Sequence, residues 1–252
     1  MSIDPNRPSV ARMYDHYLGG RHNFAVDRAV AERAVALVPA IPRIARANRA
    51  FLHRAVRFAA ARGVRQFLDI GSGIPTEGNV HEVARSFDPQ ARVVYVDIDP
   101  AAVVHARQIL DADPHTAVVQ ADLHEAGAIL GDPQVKALLD FARPVCLLLV
   151  AMLHFAPDTP ELRGALRAYH DALAPGSLLA VSHATGDVGE LADLYTRTGT
   201  PMVLRDRAEL AALLDGWDLV PPGLVFSAEW RPDTPPDDPA SYATLAAVGE
   251  RR

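Results

Sequence analysis

Cysteine and lysine occur once each in this 252-residue chain, at Cys146 and Lys136, and aromatic residues make up only 6% of it. A lone cysteine excludes an internal disulfide. Its place inside the apolar run PVCLLLVAML reads as a small hydrophobe on a buried strand. No run of eighteen apolar residues occurs, so a membrane span is not expected. The opening MSIDPNRPS has no apolar centre of the secretion-signal type, and the expectation is a cytoplasmic protein. Cysteine and histidine show no metal-binding spacing, and there is no Gly-x-Ser-x-Gly elbow, so neither a metal centre nor a serine hydrolase is expected. The net charge of −6 argues against general nucleic-acid binding. Charge is unevenly placed, however: residues 1–66 carry twelve arginines against four acids. Basic helices docked on an acidic body account for this, and a basic surface that attracts an anionic substrate is the sharper alternative.

With 49% hydrophobic residues, the chain can build one substantial core. Ser9 is placed to cap a short helix that Gly19-Gly20 stops. A second helix follows Phe24, with Val26, Val30, Ala34 and Leu37 as its apolar stripe. A third carries Ile44, Ala47, Phe51, Ala55 and Phe58, and Gly63 closes it. From there short apolar runs alternate with helical patterns: RQFLDIG, RVVYVDID, HTAVVQADL, PVCLLLVAML and GSLLAVSHAT read as strands. NVHEVARSF, PAAVVHARQIL and PELRGALRAYHDAL read as helices. Such alternation implies a mainly parallel sheet covered on both faces. WDLVPPGLVF and YATLAAVGE, joined by a segment poor in helix formers, suggest a final hairpin with one antiparallel strand. The expected organisation is a single domain, 1–252, in which 1–65 form a helical lid or extension and 66–252 an α/β core.

In FLDIGSGIP, Gly71 and Gly73 follow a strand and precede a helix, where doubly wound sheets bind nucleotides. The next strand ends in Asp97, at the distance of a ribose-binding carboxylate. The third glycine of a dinucleotide fingerprint is replaced by Thr76, and Asp69 puts negative charge beside the loop. Both features oppose a pyrophosphate and suit a cationic, phosphate-free adenosine compound. S-adenosylmethionine has that chemistry. Asp122 is placed to accept from an adenine amino group, and Ile98 and Leu123 to sandwich the ring. Ser72 and Ala151 complete the expected cofactor contacts.

These motifs resemble class I S-adenosylmethionine-dependent methyltransferases. More narrowly, YDHYLGGRHNFAVDR, RANRAFLHRAVRF, QFLDIGSGIPTEGNVHEVA, VVYVDIDP, RPVCLLLVAMLHF, LAPGSLLAVSHAT and EWRPD resemble an actinobacterial methyltransferase family long known as a domain of unknown function. The resemblance implies a Rossmann-like, seven-stranded mixed sheet with helices on both faces. It also implies cofactor binding at Asp69, Gly71, Gly73, Asp97 and Asp122.

In such a fold the segment Tyr14–Arg28 is expected to cover the methionine end of the cofactor, with Tyr14, His16, Tyr17, Arg21, His22 and Asn23 supplying polar and stacking groups. Arg46 is the expected grip on the cofactor carboxylate, with Asn48 and Arg49 as rivals. His154, just past the fourth strand, is the candidate catalytic residue, and His183 is second. No Asn-Pro-Pro-Tyr or Asp-Pro-Pro-Tyr follows the fourth strand and no proline–cysteine nucleophile is present, which weighs against amino methylation of adenine or glutamine and carbon-5 methylation of cytosine. The expected partner is a small organic methyl acceptor, from secondary metabolism by default, with no nucleic acid and no membrane. The chain is expected to be a monomer or homodimer. A non-catalytic cofactor sensor is the alternative, and a nicotinamide-dependent oxidoreductase a more distant one.

Overall fold

The structure, a computed structural model, describes residues 4–75, 78–110, 113–186 and 189–252. Five parallel strands form its centre: β1 Gln66–Ile70, β2 Arg92–Asp97, β3 Thr116–Gln120, β4 Cys146–Val150 and β5 Leu178–Ala184. They lie in the order β3-β2-β1-β4-β5 and are followed by β8 Thr244–Glu250, which runs antiparallel to β5. The outermost position is held by two short pieces, β6 Asp218–Leu219 and β7 Val225–Phe226, both antiparallel to β8. The seven expected positions are thus present with eight strand segments. The split has a local cause: Pro221 and Pro222 cannot donate ladder hydrogen bonds, and six residues of the edge span only three of β8.

Strand alternation divides the core into two layers. On one face Phe67, Val93, Tyr95, Cys146, Leu148 and Ala180 pack under α3 Ile41–Ala61, α4 Val80–Arg85 and α5 Pro100–Ile109. On the other, Leu68, Val94, Leu147, Leu149 and Val181 pack against α6 Ala126–Gly131, α7 Pro133–Leu138 and α8 Pro160–Ala172. A third cluster joins α1 Val10–Tyr17, α2 Ala25–Leu37 and the start of α3 to α9 Gly189–Arg197. The short α10 Arg207–Leu213 precedes the edge strands.

The helices depart from the sequence expectation in several places. In α2 the fully buried residues are Asp27, Ala31 and Ala34, while Leu37 is exposed. In α3 the buried residues are Ile41, Ala45, Asn48, Phe51, Leu52, Ala55, Val56, Ala59 and Ala60. Phe51 and Ala55 of the expected stripe are among them and Phe58 packs against the same core, while Ile44 and Ala47 give way to Ile41, Ala45 and Asn48, because this helix faces the cover at its start and the sheet along most of its length. Residues 51–60 therefore belong to the sheet's own covering layer, and α1, α2 and the start of α3 through Ala45 form the cover. Helices α6, α7, α9 and α10 have no counterpart in the sequence expectation. Among the described residues, no helix is long and apolar enough to cross a membrane.

Candidate active site

The glycine loop leaves the carboxyl end of β1 with Gly71 and Gly73 in the left-handed region, at φ of 73° and 64°. A Cβ on Gly71 would fall 2.2 Å from Cγ of Met152, so this position needs glycine both for its backbone and for the close approach of the β4 loop. Thr76 lies outside the described residues. Asp97, at the end of β2, accepts from the Gly73 amide at 2.7 Å and from the Asp99 amide at 2.8 Å. Burial outweighs those bonds and pushes its carboxyl up to about 6. Asp69 is buried beside the loop, and its carboxylate makes no hydrogen bond or ion pair among the described residues. Burial pushes it up to about 7; the nearby Arg49 pulls it down and Asp97 raises it.

Arg49 comes from α3 and lines the same cavity, with its Nε buried and unpaired among the described residues. Arg46, the expected carboxylate grip, is exposed and lies outside the cavity lining, whereas its rivals Asn48 and Arg49 line it. The helix itself contains the reason. Arg49 is four residues after Ala45 and three before Leu52, both on the buried stripe, whereas Arg46 has no stripe residue three or four positions away.

A chain of polar contacts fixes the rim. Ala151, past β4, is a non-glycine residue at φ 55°, a conformation costing on the order of 1–3 kcal/mol. Its amide donates to Ser182 Oγ at 2.9 Å, and Ser182 Oγ donates to Asn48 Oδ1 at 2.5 Å. Asn48 Nδ2 donates to the Tyr14 hydroxyl at 3.0 Å, which donates to the Ala45 carbonyl at 3.2 Å. Tyr14 therefore lines the cavity with its hydroxyl already committed.

Gly19-Gly20 ends α1 as expected, with Gly19 at φ 84°, and the turn that follows has a further role. Asp15 Oδ2 accepts from the His22 amide and from Asn23 Nδ2, each at 2.8 Å, and a Cβ on Gly20 would fall 2.0 Å from Asp15 Oδ1. The turn is wrapped around Asp15. His16, Arg21, His22 and Asn23 are not in the cavity lining; Tyr14 and Tyr17 are. Arg12 and Asp27 form a buried ion pair at 2.7 Å that ties α1 to α2.

His154 stands in a short 3-10 turn, Leu153–Phe155, and lines the cavity. Its Nδ1 accepts from the Ala184 amide at 3.4 Å, which places the ring proton on Nε2. Burial, with His183 and Arg205 adding to it, pushes this imidazole down to about 3, so it is neutral at physiological pH. Arg205, which has no conspicuous signal in the sequence, donates to the carbonyls of Leu153 and Ala156 at 2.8 and 2.7 Å and clamps that turn. Its guanidinium also bonds His183 Nε2 at 2.9 Å; His183 is fully buried and outside the lining.

One cavity of about 820 Å³ unites these groups. Asp69, Gly71, Ser72, Gly73, Asp97, Ile98, Asp122, Leu123, Ala151 and His154 all line it. Ile98 is exposed and Leu123 buried. Asp122 Oδ1 accepts from the His124 amide and faces its Nδ1 at 2.7 Å; despite burial, these contacts lower its carboxyl.

The whole chain, residues 1–252, matches the family described as S-adenosyl methyltransferase. Among solved structures it is similar to a candidate methyltransferase from Thermobifida fusca YX, at 41% identity and a TM-score of 0.92 over 98% of this chain and 96% of that one. It is also similar to a DUF574 family protein from Streptomyces avermitilis MA-4680, at 37% identity and a TM-score of 0.94 over the whole of both. The N-methyltransferase NodS of Bradyrhizobium japonicum WM9, bound to S-adenosyl-L-homocysteine, shares the fold at 17% identity and a TM-score of 0.50, over 79% of this chain and 85% of that one. No curated protein matches the chain. A full-length family match and two solved relatives above one-third identity leave one assignment: this chain belongs to the S-adenosyl methyltransferase family, whose methyl donor is S-adenosylmethionine.

Proposed function

We propose that the chain methylates a small organic acceptor, with its own cofactor contacts at Asp69, Arg49, Gly71, Ser72, Gly73, Asp97, Ile98, Asp122, Leu123 and Ala151. One observation carries this reading: the buried carboxylate of Asp69 and the guanidinium of Arg49, whose Nε is buried and unpartnered among the described residues, face one cavity beside the glycine loop without pairing to each other. An amino-acid zwitterion supplies both missing partners, an ammonium for Asp69 and a carboxylate for Arg49. The adenosine end has matching groups in Asp97 for ribose hydroxyls, Asp122 for the exocyclic amine, and Ile98 and Leu123 for the ring faces.

When bound, S-adenosylmethionine supplies a methyl carbon activated by a sulfonium. The chain's contribution is then to position the acceptor and exclude water, which accounts for much of the acceleration of a displacement reaction. His154 fits that task as a hydrogen-bond donor through Nε2 that orients the acceptor. Its depressed basicity makes it a poor proton acceptor. The Arg205 clamp holds it in place.

Calorimetry with S-adenosylhomocysteine and with NAD tests the cofactor assignment: binding of the first and not the second is expected, and the reverse overturns it. Transfer of labelled methyl to a small-molecule fraction of cell extract tests the acceptor class. Tight cofactor binding without any transfer favours a sensor instead.

A further inference from the structure

Beyond the cofactor end, the cavity is walled by apolar groups from segments far apart in the chain. Tyr17, Val38 and Ile41 come from the cover, Leu191 and Tyr195 from α9, and Phe155 from the turn after β4. One buried charged atom of this part lacks a partner among the described residues, Asp15 Oδ1, and it is packed against Gly20. Asp4 and Arg7 are exposed at the rim, Arg12 is held by Asp27, and Asp15 is bound into its loop. An ion entering here would lose its hydration with little to offset it, since the Asp15 carboxylate is committed to its own loop through Oδ2. The rings of Phe155 and Tyr195 lie 5.8 Å apart at 35°, a surface suited to a flat aromatic partner.

The polar detail that stands out is the Tyr17–Tyr195 pair, whose hydroxyl oxygens are 3.0 Å apart. Two hydroxyls bring two protons to one hydrogen bond, and neither has another partner among the described residues. One proton is therefore left over in a buried setting, where an unmade bond is costly. The hydroxyls of Tyr14 and Tyr169 differ, since both donate to backbone carbonyls. The cavity's 820 Å³ lies near the top of the ~300–1,000 Å³ range of drug-sized sites, which leaves space for a bicyclic molecule beside a nucleoside-sized cofactor.

We infer that this chamber accepts an uncharged aromatic molecule bearing a carbonyl-type oxygen, which takes the surplus proton of the Tyr17–Tyr195 pair. The acceptor role of that molecule rests on the methyl-transfer reading above. Four probes separate the contributions: 2-acetylnaphthalene, naphthalene, 2-naphthoate and 2-naphthylmethylammonium. Each is titrated calorimetrically into the full chain with and without S-adenosylhomocysteine.

The neutral ketone is expected to bind about tenfold tighter than naphthalene, the worth of one hydrogen bond. Both ions are expected to bind more weakly than the ketone. Tyr17→Phe and Tyr195→Phe singly each leave one hydroxyl with its proton, so the ketone preference persists, whereas the double variant loses it. Leu191→Trp fills the chamber and excludes every probe while S-adenosylhomocysteine affinity is unchanged. Equal binding of either ion, a ketone preference that survives the double variant, or absence of probe binding alongside normal S-adenosylhomocysteine binding overturns the inference. Failure of S-adenosylhomocysteine itself to bind, with the probes behaving as described, overturns the methyl-transfer reading instead.

Discussion

Asp69 provides the sharpest test, because its burial links cofactor affinity to pH. Its carboxyl is pushed up to about 7 in the unliganded protein, while an ammonium ligand requires the ionised form. Below pH 7 each binding event must first release a proton from Asp69, so affinity falls by nearly tenfold per pH unit. Between pH 8 and pH 6 the ionised fraction drops from roughly 90% to roughly 10%, and the dissociation constant of S-adenosylhomocysteine rises about tenfold, or ~1.4 kcal/mol. Asp97, pushed up to about 6, adds a further loss below that pH. Asp69→Asn removes the ammonium partner, weakens binding at pH 8, and flattens the profile between pH 6.5 and 8. The same substitution acts oppositely on stability. An acid whose folded value lies above its unfolded one binds the extra proton in the native state, so stability is lost as pH rises from the ordinary carboxylate range to about 7. At pH 8 the unliganded Asp69→Asn protein is expected to be more stable by a few kcal/mol, since each tenfold weakening of the buried acid corresponds to about 1.4 kcal/mol. Calorimetry across pH 6–8 and thermal unfolding at pH 5 and pH 8 give both readouts. A pH-independent affinity in the parent, or a variant that keeps the parent's slope, refutes the reasoning.

Three further outcomes are expected. Asp97→Asn, which weakens the acceptor of the Gly73 amide and the proposed ribose contact, lowers S-adenosylhomocysteine affinity by roughly 10- to 100-fold, as calorimetry reads it, in line with ~1.5–3 kcal/mol for hydrogen bonds to a charged group. Gly71→Ala meets both the left-handed backbone and Met152, and lowers the denaturation midpoint by the equivalent of at least ~1–2 kcal/mol while cofactor binding is lost. Arg12→Met strands Asp27 in the interior and costs about 3–5 kcal/mol by urea unfolding; pairing it with Asp27→Leu recovers most of that loss.

Much of the scaffold was legible because its signals are local. The alternation of Cys146–Val150 between two layers, the Ser9 cap, and the glycine loop set between β1 and α4 depend on neighbours within a few residues. Asp97 and Asp122 were placed by the ends of their own strands. Which of Arg46 and Arg49 faces the cavity follows from a pattern within one helix, the stripe Ile41–Ala45–Asn48–Leu52. Gly19-Gly20 as the end of α1 was legible too, but the packing of Gly20 against Asp15 was not, since it depends on where the turn folds back. Nor was the neutral state of His154, which follows from burial beside His183 and Arg205, residues 29 and 51 positions later in the chain.

By itself, the amino-acid sequence determined the five central strands, the helices α1 to α5 and α8, the loop that follows β1 and the acids at the strand ends, because hydrophobic period, capping and glycine torsions act over a turn or two of chain. Only the tertiary structure decided what the cavity contains beyond those acids. Tyr17 meets Tyr195 across 178 positions, Arg49 reaches the side of Asp69 from another layer, and Ala151 is held left-handed by a serine of the neighbouring strand. Such contacts arise from the packing of whole elements against one another, and no short-range pattern encodes which residues packing will bring face to face.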